Sequence, residues 1–211
     1  MTDNIEQIRN LLLFEENSKD FYFLQIMKRR KDNPDMEKDM IIIKNYYIES
    51  SEQLHKLIPR IIETCNFENA RAYIRLNKRN YNKLGLQMIK RVADHIASGN
   101  ERALPNVFDS VAGEFHSDDD KTWVVDIDWK DFEGLTLTDH SKMVKANVQL
   151  QNLISKIEEL QVETGRESMR VMIPTKNGFH IITRPFNLQK FKLEYWFIDV
   201  HKDNPTILYC P

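Results

Sequence analysis

Short apolar runs of strand length alternate with amphipathic helical segments along the chain of 211 residues, and this alternation limits the fold more than any other feature. Apolar runs at 20–27 and 40–48 flank the turn residues 31–35, whose sequence Lys-Asp-Asn-Pro-Asp predicts a β-hairpin. Strands that alternate with amphipathic helices are typical of folds that mix both elements. We therefore expect an α+β protein with α/β-like alternation.

The remaining elements follow from the period of the apolar residues. Helices are predicted at 3–13, after a cap at Ser51, and at 84–96, 103–113, 146–160 and 187–193. Further strands are predicted at 70–76, 123–129, 169–173, 179–183, 195–201 and 206–210. The helix at 84–96 is expected to bury one apolar face, formed by Leu84, Met88, Ile89, Val92 and Ile96. No linker divides the chain, so we expect residues 1–50 to extend a core of residues 51–211 within one compact unit.

Charge and composition argue against several classes of protein. Lysine and arginine total 30 against 32 acidic residues, and a net charge of −2 argues against a protein that coats nucleic acid through bulk charge, although a local cluster can still hold phosphates. No apolar run approaches the roughly 18 residues of a membrane span, and the polar N-terminus lacks the order of a signal peptide. Only Cys65 and Cys210 are present, which indicates neither a zinc motif nor a disulfide framework. We expect a reduced, cytoplasmic setting without membrane contact.

Two acidic residues, Asp126 and Asp128, interrupt an otherwise bulky and apolar strand. Residues two apart on a strand share a face and lie roughly 7 Å apart, so both carboxylates can reach the same ions. The alternate residues are expected to face the core, namely Trp123, Val125, Ile127 and Trp129. Neighbouring carboxylates repel each other, and a divalent cation such as Mg²⁺ or Mn²⁺ relieves that repulsion. The alternative is an exposed strand face with two solvated aspartates.

A second group of polar residues surrounds the turn between the predicted strands at 169–173 and 179–183. Asn177 and Gly178 are typical of a hairpin turn with positive φ angles. His180 follows within an apolar strand, where it could donate hydrogen bonds to a triphosphate with Lys176 as a nearby charge. A structural histidine, hydrogen-bonded in the core, is the alternative.

A third acid, Asp199, lies in the last apolar runs of the chain and could be another metal ligand. His201 shares its face and could support it. Asp203 lies in the turn that follows, and turn chemistry explains it.

Basic residues concentrate in two places. Tyr73, Arg75 and Asn77 share one face of a predicted strand, with Arg79 close behind, and could contact a template backbone or a nucleotide. The alternative is an edge strand with a polar outer face. The basic run at 28–31 is interpreted as solvated surface charge.

The order Asp126-Ile-Asp128, Gly178-Phe-His180 and Phe-Ile-Asp199 resembles the archaeo-eukaryotic primase (primase-polymerase) superfamily. That family carries an Asp-x-Asp pair, a small residue two before a histidine, and a later aspartate after apolar residues. The likeness covers residues 120–210, and residues 51–100 would supply the αβ unit beside the sheet. Two departures are that Gly178 stands where serine is commoner and that no zinc-binding stem is visible. The resemblance implies a mixed sheet with an RRM-like catalytic core flanked by helices.

The resemblance also implies residue roles and an activity. Asp126, Asp128 and Asp199 would bind two catalytic Mg²⁺ or Mn²⁺ ions. His180 would contact the phosphates of the incoming nucleotide, beside Lys176 and Gly178. The implied function is phosphodiester formation from nucleoside triphosphates on a nucleic-acid template, in a primase or primase-polymerase core of phage or mobile-element type, with a helicase or other replication protein as partner.

Two other functions remain open. One is a non-catalytic nucleic-acid-binding module on the same fold, which would use Arg75, Lys78, Arg79 and Lys176. The other is a two-metal nuclease, because the same metal geometry cuts as readily as it joins.

Overall fold

The computed structural model describes residues 1–116, 121–128, 148–161, 169–203 and 205–211. Within these ranges the chain forms an α+β fold with two antiparallel sheets and six α-helices. The strands are β1 (Thr2–Asp3), β2 (Asp20–Arg29), β3 (Met40–Ile48), β4 (Arg71–Ile74), β5 (Arg79–Asn80), β6 (Trp123–Asp128), β7 (Met169–Pro174), β8 (Gly178–Thr183), β9 (Asp199–His201) and β10 (Thr206–Cys210). The helices are α1 (Ile5–Arg9), α2 (Ser51–Glu68), α3 (Tyr81–Ala97), α4 (Val107–Glu114), α5 (Val148–Glu159) and α6 (Leu188–Glu194), with a 3₁₀ helix at Glu101–Asn106.

The first sheet has the strand order β1-β10-β4-β2-β3, and β5 pairs with β2. The predicted hairpin is confirmed, because β2 and β3 pair antiparallel from Tyr22 opposite Ile48 to Arg29 opposite Met40. β2 also pairs with β4, and β1 pairs with β10. Strands from both sides of residue 50 therefore share one sheet, while the division of the chain at that residue stays a prediction.

Helix α2 crosses from the hairpin to β4, and its two ends show why it begins and stops there. Ser50, one residue before the predicted cap, accepts a hydrogen bond from the Gln53 amide at 3.1 Å. Asn69 ends the helix in the left-handed conformation, with φ of 47°. The largest core cluster packs α1 and α2 against the first sheet through residues that include Leu24, Ile26, Leu54, Ile61 and Ile74.

Helices α3 and α4 pack against Phe21 and Phe23 of β2, which belong to a separate core cluster. Leu84 is buried in that cluster, but Ile89 and Ile96 are exposed. The prediction that these apolar residues share one buried face is therefore wrong. The physical reason is that a helix turns through about 100° per residue, and the positions of Ile89 and Ile96 fall outside the stripe that contacts the sheet.

The second sheet has the strand order β7-β8-β6-β9. Its elements follow the chain order β6-α5-β7-β8-α6-β9, which is the β-α-β-β-α-β arrangement of a split βαβ motif. Both helices pack on one face of this sheet, where Val125 and Ile127 contact a core that contains Leu153 and Phe191. The predicted inward direction of Val125 and Ile127 is thus confirmed, whereas Trp129 lies outside the described residues.

The opposite face of the second sheet adjoins the first sheet. Val124, Ile173 and Ile182 belong to the core cluster of the first sheet. The Asn4 side chain joins the two sheets by donating hydrogen bonds to the carbonyl oxygens of Pro174 at 2.9 Å and Ile207 at 2.8 Å. Of the helices within the described ranges, none combines the length and the apolar character needed to cross a bilayer.

Candidate active site between the two sheets

Three of the predicted site residues lie side by side across the second sheet. Asp126 on the central strand β6 is directly opposite His180 on β8 and directly opposite Asp199 on β9. Residues paired in this way share a face of the sheet. Because Val125 and Ile127 point to the helices, Asp126 and Asp128 both point to the other face, which adjoins the first sheet.

His180 is held between the two sheets by both of its ring nitrogens. Its Nε2 atom lies 3.4 Å from Asp126 Oδ1, and its Nδ1 atom lies 2.9 Å from the hydroxyl oxygen of Thr206 on β10. The Thr206 side chain is fully buried. These contacts orient the imidazole in the way expected of a structural histidine. The imidazole also lines a cavity between the two sheets.

The Asp126 carboxylate is kept ionised by its surroundings. Burial alone would raise the pKa of this group. The hydrogen bond to His180, together with positive charge on His180, His201 and Lys31, outweighs that effect and lowers the pKa of Asp126 below its usual value. A carboxylate that stays charged in a half-buried position is suited to binding a cation.

Asp199 is in the same row but its side chain is exposed, and it does not line the cavity. Within the part of the chain that the structure describes, no three His, Cys, Asp or Glu side chains are close enough together to hold a metal ion. Asp126 and Asp128 are the two predicted acids that meet at the cavity. Mg²⁺ is commonly held by one or two carboxylates together with water and substrate phosphates, so this pair can supply a partial site.

A cavity of about 580 Å³ lies between the two sheets, which is the size of a small-molecule site. Its acid wall, on the second sheet, is formed by Asp126, Asp128 and His180. Its cationic wall, on the first sheet, is formed by Arg29, Lys31, Arg71 and Arg75. The β7–β8 loop, with Lys176, lies at the rim. Walls of opposite charge suit a ligand that carries both phosphates and bound cations.

Arg71 on the cationic wall is fixed by the turn of the hairpin. Its Nε and Nη2 atoms each lie 2.7 Å from an oxygen of Asp32, and both side chains are almost fully buried. Lys176 reaches the same carboxylate across the cavity mouth at 3.0 Å. Asp32 therefore links the β2–β3 turn of the first sheet to the β7–β8 loop of the second.

Arg75 contributes a partly satisfied guanidinium to the cavity. Its Nη1 atom donates to the carbonyl oxygen of Asp203 and lies 3.4 Å from the Asp203 carboxylate. Its Nε atom is buried and has no hydrogen-bond partner among the described residues. Burial lowers the pKa of this arginine, although the charge of Asp203 acts in the opposite direction. The buried N–H leaves a place for an acceptor on a ligand.

Asn77 and Arg79 do not reach the cavity, and their assignment to a nucleic-acid surface is wrong. Arg79 is 0% exposed and donates to the Ala112 carbonyl oxygen at 2.8 Å. Asn77 is also buried, and its amide donates to the carbonyl oxygens of Thr122 at 3.0 Å and Lys202 at 3.1 Å. Long-range hydrogen bonds hold both side chains in the interior, where they have no surface to offer a ligand.

Of the other two residues predicted to bind nucleic acid from this segment, Tyr73 lines the cavity and Lys78 does not. Tyr73 lines the cavity but is largely buried, and its hydroxyl accepts a weak hydrogen bond from Arg29 Nη1 at 3.5 Å. Its buried ring is not a platform for stacking. The Lys78 amine pairs with Glu15 at 3.0 Å and is not among the residues that line the cavity.

Asp203 has a larger role than the turn chemistry predicted for it. It accepts hydrogen bonds from Arg79, at 3.2 Å for Nη1, and from the Asn77 amide at 2.9 Å, in addition to its contacts with Arg75. One carboxylate thus pairs with both the fully buried Arg79 and the partly buried Arg75. Sequence reasoning could not find this because the partners lie more than 120 positions away in the chain.

Position 178 needs glycine because a side chain there would overlap the neighbouring strand, and not because of its backbone angles. Positive φ angles occur, within the described residues, at Asn17, Asn69 and Gly99, so the predicted positive-φ turn at 177–178 is wrong. The loop is closed instead by a hydrogen bond from the Thr175 amide to the Gly178 carbonyl at 2.9 Å. A Cβ atom on Gly178 would overlap the Ile127 carbonyl oxygen and lie 3.0 Å from the Asp128 Cα atom. Only glycine allows β8 to lie this close to the acid pair.

Two residues of the cationic wall come from the basic run that was interpreted as solvated charge. Arg29 and Lys31 line the cavity. Arg30, between them, pairs with Asp39 at the surface at 2.6 Å. Arg29 ends β2 and Lys31 lies in the turn that follows, so the period of a strand does not extend over both residues and gave no signal for their shared direction.

Comparison with family models, with curated proteins and with solved structures found no match for this chain.

Proposed function

We propose that the chain is a metal-dependent nucleotidyltransferase of primase or primase-polymerase type, which forms phosphodiester bonds from nucleoside triphosphates on a nucleic-acid template. One observation carries the proposal: an acid pair and an oriented histidine face four basic side chains across a cavity of about 580 Å³. Carboxylates are suited to catalytic cations, and arginine and lysine are suited to a polyphosphate. Both kinds of group are needed for phosphoryl chemistry.

The topology of the second sheet supports an RRM-like core of the primase kind. Its β-α-β-β-α-β order leaves one face for the two helices and the other face for the acids. The row formed by Asp126, His180 and Asp199 brings the three motifs of the resemblance together on adjacent strands.

Each group has a distinct task in the proposed reaction. When bound, Mg²⁺ or Mn²⁺ would activate the attacking hydroxyl and stabilise the departing pyrophosphate. Asp126 and Asp128 would hold these ions with the help of substrate phosphates, and a rotation of the Asp199 side chain would add a third carboxylate. His180 would donate to a phosphate oxygen, while Arg29, Lys31 and Arg75 neutralise the triphosphate.

A non-catalytic nucleic-acid-binding module is the second candidate. The exposed position of Asp199, outside the cavity, favours it. In that case the cationic wall and Lys176 would bind phosphates without any metal, and no nucleotide would be incorporated.

Extension of a labelled primer on a template, with Mg²⁺ or Mn²⁺ and nucleoside triphosphates, tests the proposal. We expect wild-type activity to be lost in Asp126→Asn and Asp128→Asn, both of which should unfold at nearly the wild-type temperature. Asp94→Asn, at an exposed position on α3, is the matched control and should stay active. An active Asp128→Asn enzyme contradicts the mechanism. Metal-independent binding without incorporation by the wild type supports the second candidate.

A further inference from the structure

Helix α3 carries apolar side chains on two opposite sides, and only one of these sides packs against the rest of the protein. Leu84 is buried in the core cluster with β2 and α4. Leu86, Ile89 and Ile96 are 66%, 68% and 59% exposed, and Ala93 between them is exposed as well. Because a helix turns through about 100° per residue, these four residues share a sector of about 80° that faces away from Leu84. We call Leu86, Ile89, Ala93 and Ile96 the outer stripe.

The spacing of the outer stripe is that of a helix that packs along another helix. Its residues are separated by steps of three, four and three positions, which is the a/d pattern of a coiled coil. From residue 86 to residue 96 the stripe runs for about 15 Å along the helix axis. A second helix lying along it would remove these side chains from water. The spacing therefore indicates a helix as the partner.

The order of the outer stripe favours a second copy of α3 as that helix. The spacing reads the same in both directions and is centred on position 91. In an antiparallel pair related by a twofold axis, Leu86 lies opposite Ile96 of the second copy, and Ile89 lies opposite Ala93 of the second copy. Each layer is then apolar, and the small alanine makes room for the branched isoleucine. A parallel pair would put both alanines in one layer and large side chains in all the others, which packs less evenly.

Charged residues beside the outer stripe fit the same antiparallel arrangement. Lys90 and Asp94 lie on one flank of the stripe, and both are exposed. The twofold axis brings this flank of the two copies together, with Lys90 of one copy less than one helical turn along the axis from Asp94 of the other. Two such pairs of opposite charge would form in each dimer. Exposed ion pairs are individually weak, but these two favour the register that the apolar layers require.

We propose that the protein forms a reversible, antiparallel homodimer through the outer stripe of α3. The proposal is independent of the proposed function, because none of the four stripe residues lines the cavity between the sheets. A single pair of helices of this length buries less than the roughly 1,600 Å² of a standard protein interface. We therefore expect the dimer to dissociate in the micromolar range.

Sedimentation velocity of the full chain, from about 5 to about 500 µM, tests this proposal. The wild type should change from monomer to dimer across this range. Ile89→Glu places a charge in the middle of the stripe and should raise the dimer Kd at least about 100-fold. Gln87→Glu is the matched control, because it adds the same charge to α3 outside the stripe, and it should change Kd less than about twofold. A wild type that stays monomeric at the highest concentration, or an Ile89→Glu variant that dimerises normally, overturns the proposal.

A charge exchange tests the register of the two helices. Lys90→Glu sets like charges against each other across the twofold axis and should weaken dimerisation by about fivefold. Adding Asp94→Lys to Lys90→Glu restores opposite charges and should return Kd to within about twofold of the wild type. A double variant that dimerises no better than Lys90→Glu alone contradicts the register.

Cysteine cross-linking tests the direction of the two helices, and it is not complicated by Cys65 and Cys210, which are buried. Leu86→Cys and Ile96→Cys proteins, mixed and oxidised, should form a disulfide-linked pair, because these positions lie opposite each other. Leu86→Cys alone should not, because the two copies of position 86 would be about 15 Å apart along the antiparallel pair, too far for a disulfide. Efficient cross-linking of Leu86→Cys alone would indicate a parallel pair and overturn the proposal.

Discussion

The two walls of the cavity carry opposite charges, and they differ in how those charges are held. On the cationic wall, Arg71 is paired with Asp32 and Arg75 with Asp203. On the acid wall, Asp126 is half-buried and contacts a histidine that is itself oriented by Thr206. The ion pairs of the cationic wall stabilise the fold as well as shaping the site. On the acid wall, the charge of the Asp126 carboxylate can still be neutralised by a cation.

Substitutions on the two walls should therefore have different costs in stability. Removing an acid from a buried ion pair leaves an uncompensated charge in the interior and should destabilise the protein. Removing an acid from the acid wall leaves no buried charge without a partner, and it should affect function with little effect on stability.

The largest effect is expected for Asp203→Ala. It leaves the fully buried Arg79 and the partly buried Arg75 without their carboxylate. We expect the free energy of unfolding to fall by about 3–5 kcal/mol, measured by urea denaturation. Asp35→Ala, at an exposed turn position, is the control and should change it by less than about 0.5 kcal/mol. A loss below about 1 kcal/mol for Asp203→Ala would break the contrast.

Gly178→Ala should have the next largest effect, because the added methyl group meets the backbone of Ile127 and Asp128. We expect the free energy of unfolding to fall by roughly 1–3 kcal/mol, with a loss of primer extension as β8 moves away from the acid pair. Gly85→Ala is the control. Its methyl group would meet nothing within 4 Å, and it lies inside α3, so we expect no loss and up to about 1 kcal/mol of added stability.

Arg29→Gln should weaken nucleotide binding without unfolding the protein. Loss of one charge-assisted hydrogen bond to a phosphate corresponds to roughly a tenfold higher Kd, measured by isothermal titration calorimetry with a nucleoside triphosphate and Mg²⁺. Arg60→Gln changes an exposed arginine on α2 that does not line the cavity, and should leave Kd unchanged. Equal effects of both changes would mean that general charge, and not the cavity, attracts the nucleotide.

The smallest effect concerns the pH dependence of stability. The folded-state pKa of Asp126 is lowered below its usual value, despite burial, by His180 and nearby positive charge. Its contribution is therefore complete above the unfolded pKa of about 3.9 and is lost as pH falls through the lower folded value. We expect a contribution under about 1 kcal/mol. Urea denaturation at pH 7 and pH 3 should give a difference between wild type and Asp126→Asn that shrinks at pH 3.

The sequence was sufficient to predict those parts of the fold that depend on local periodicity. Alternation within β6 correctly predicted that Val125 and Ile127 face a core and that Asp126 and Asp128 share the other face. The turn between β2 and β3 was also recognisable, because its residues are typical of hairpins. In each case the deciding interactions lie within a few positions along the chain.

Long-range contacts could not be predicted in this way. The pairing of Arg79 with Asp203 depends on β5 meeting the turn between β9 and β10 in space, and nothing local distinguishes that aspartate from an ordinary turn residue. The need for glycine at position 178 arises from a neighbouring strand. The direction of Ile89 depends on where α3 contacts the sheet. Arg29 and Lys31 face a cavity whose other wall is formed by the second sheet, far along the chain.

A crystal structure with Mn²⁺ and a non-hydrolysable nucleoside triphosphate, in which anomalous scattering locates the metal, would test whether the acid pair binds a catalytic cation. We predict at least one Mn²⁺ ion within about 2.5 Å of carboxylate oxygens of Asp126 and Asp128, with the phosphates facing Arg29, Lys31 and Arg75. Mn²⁺ and nucleotide bound away from this cavity, or a nucleotide bound there with no metal near either acid, would contradict the account.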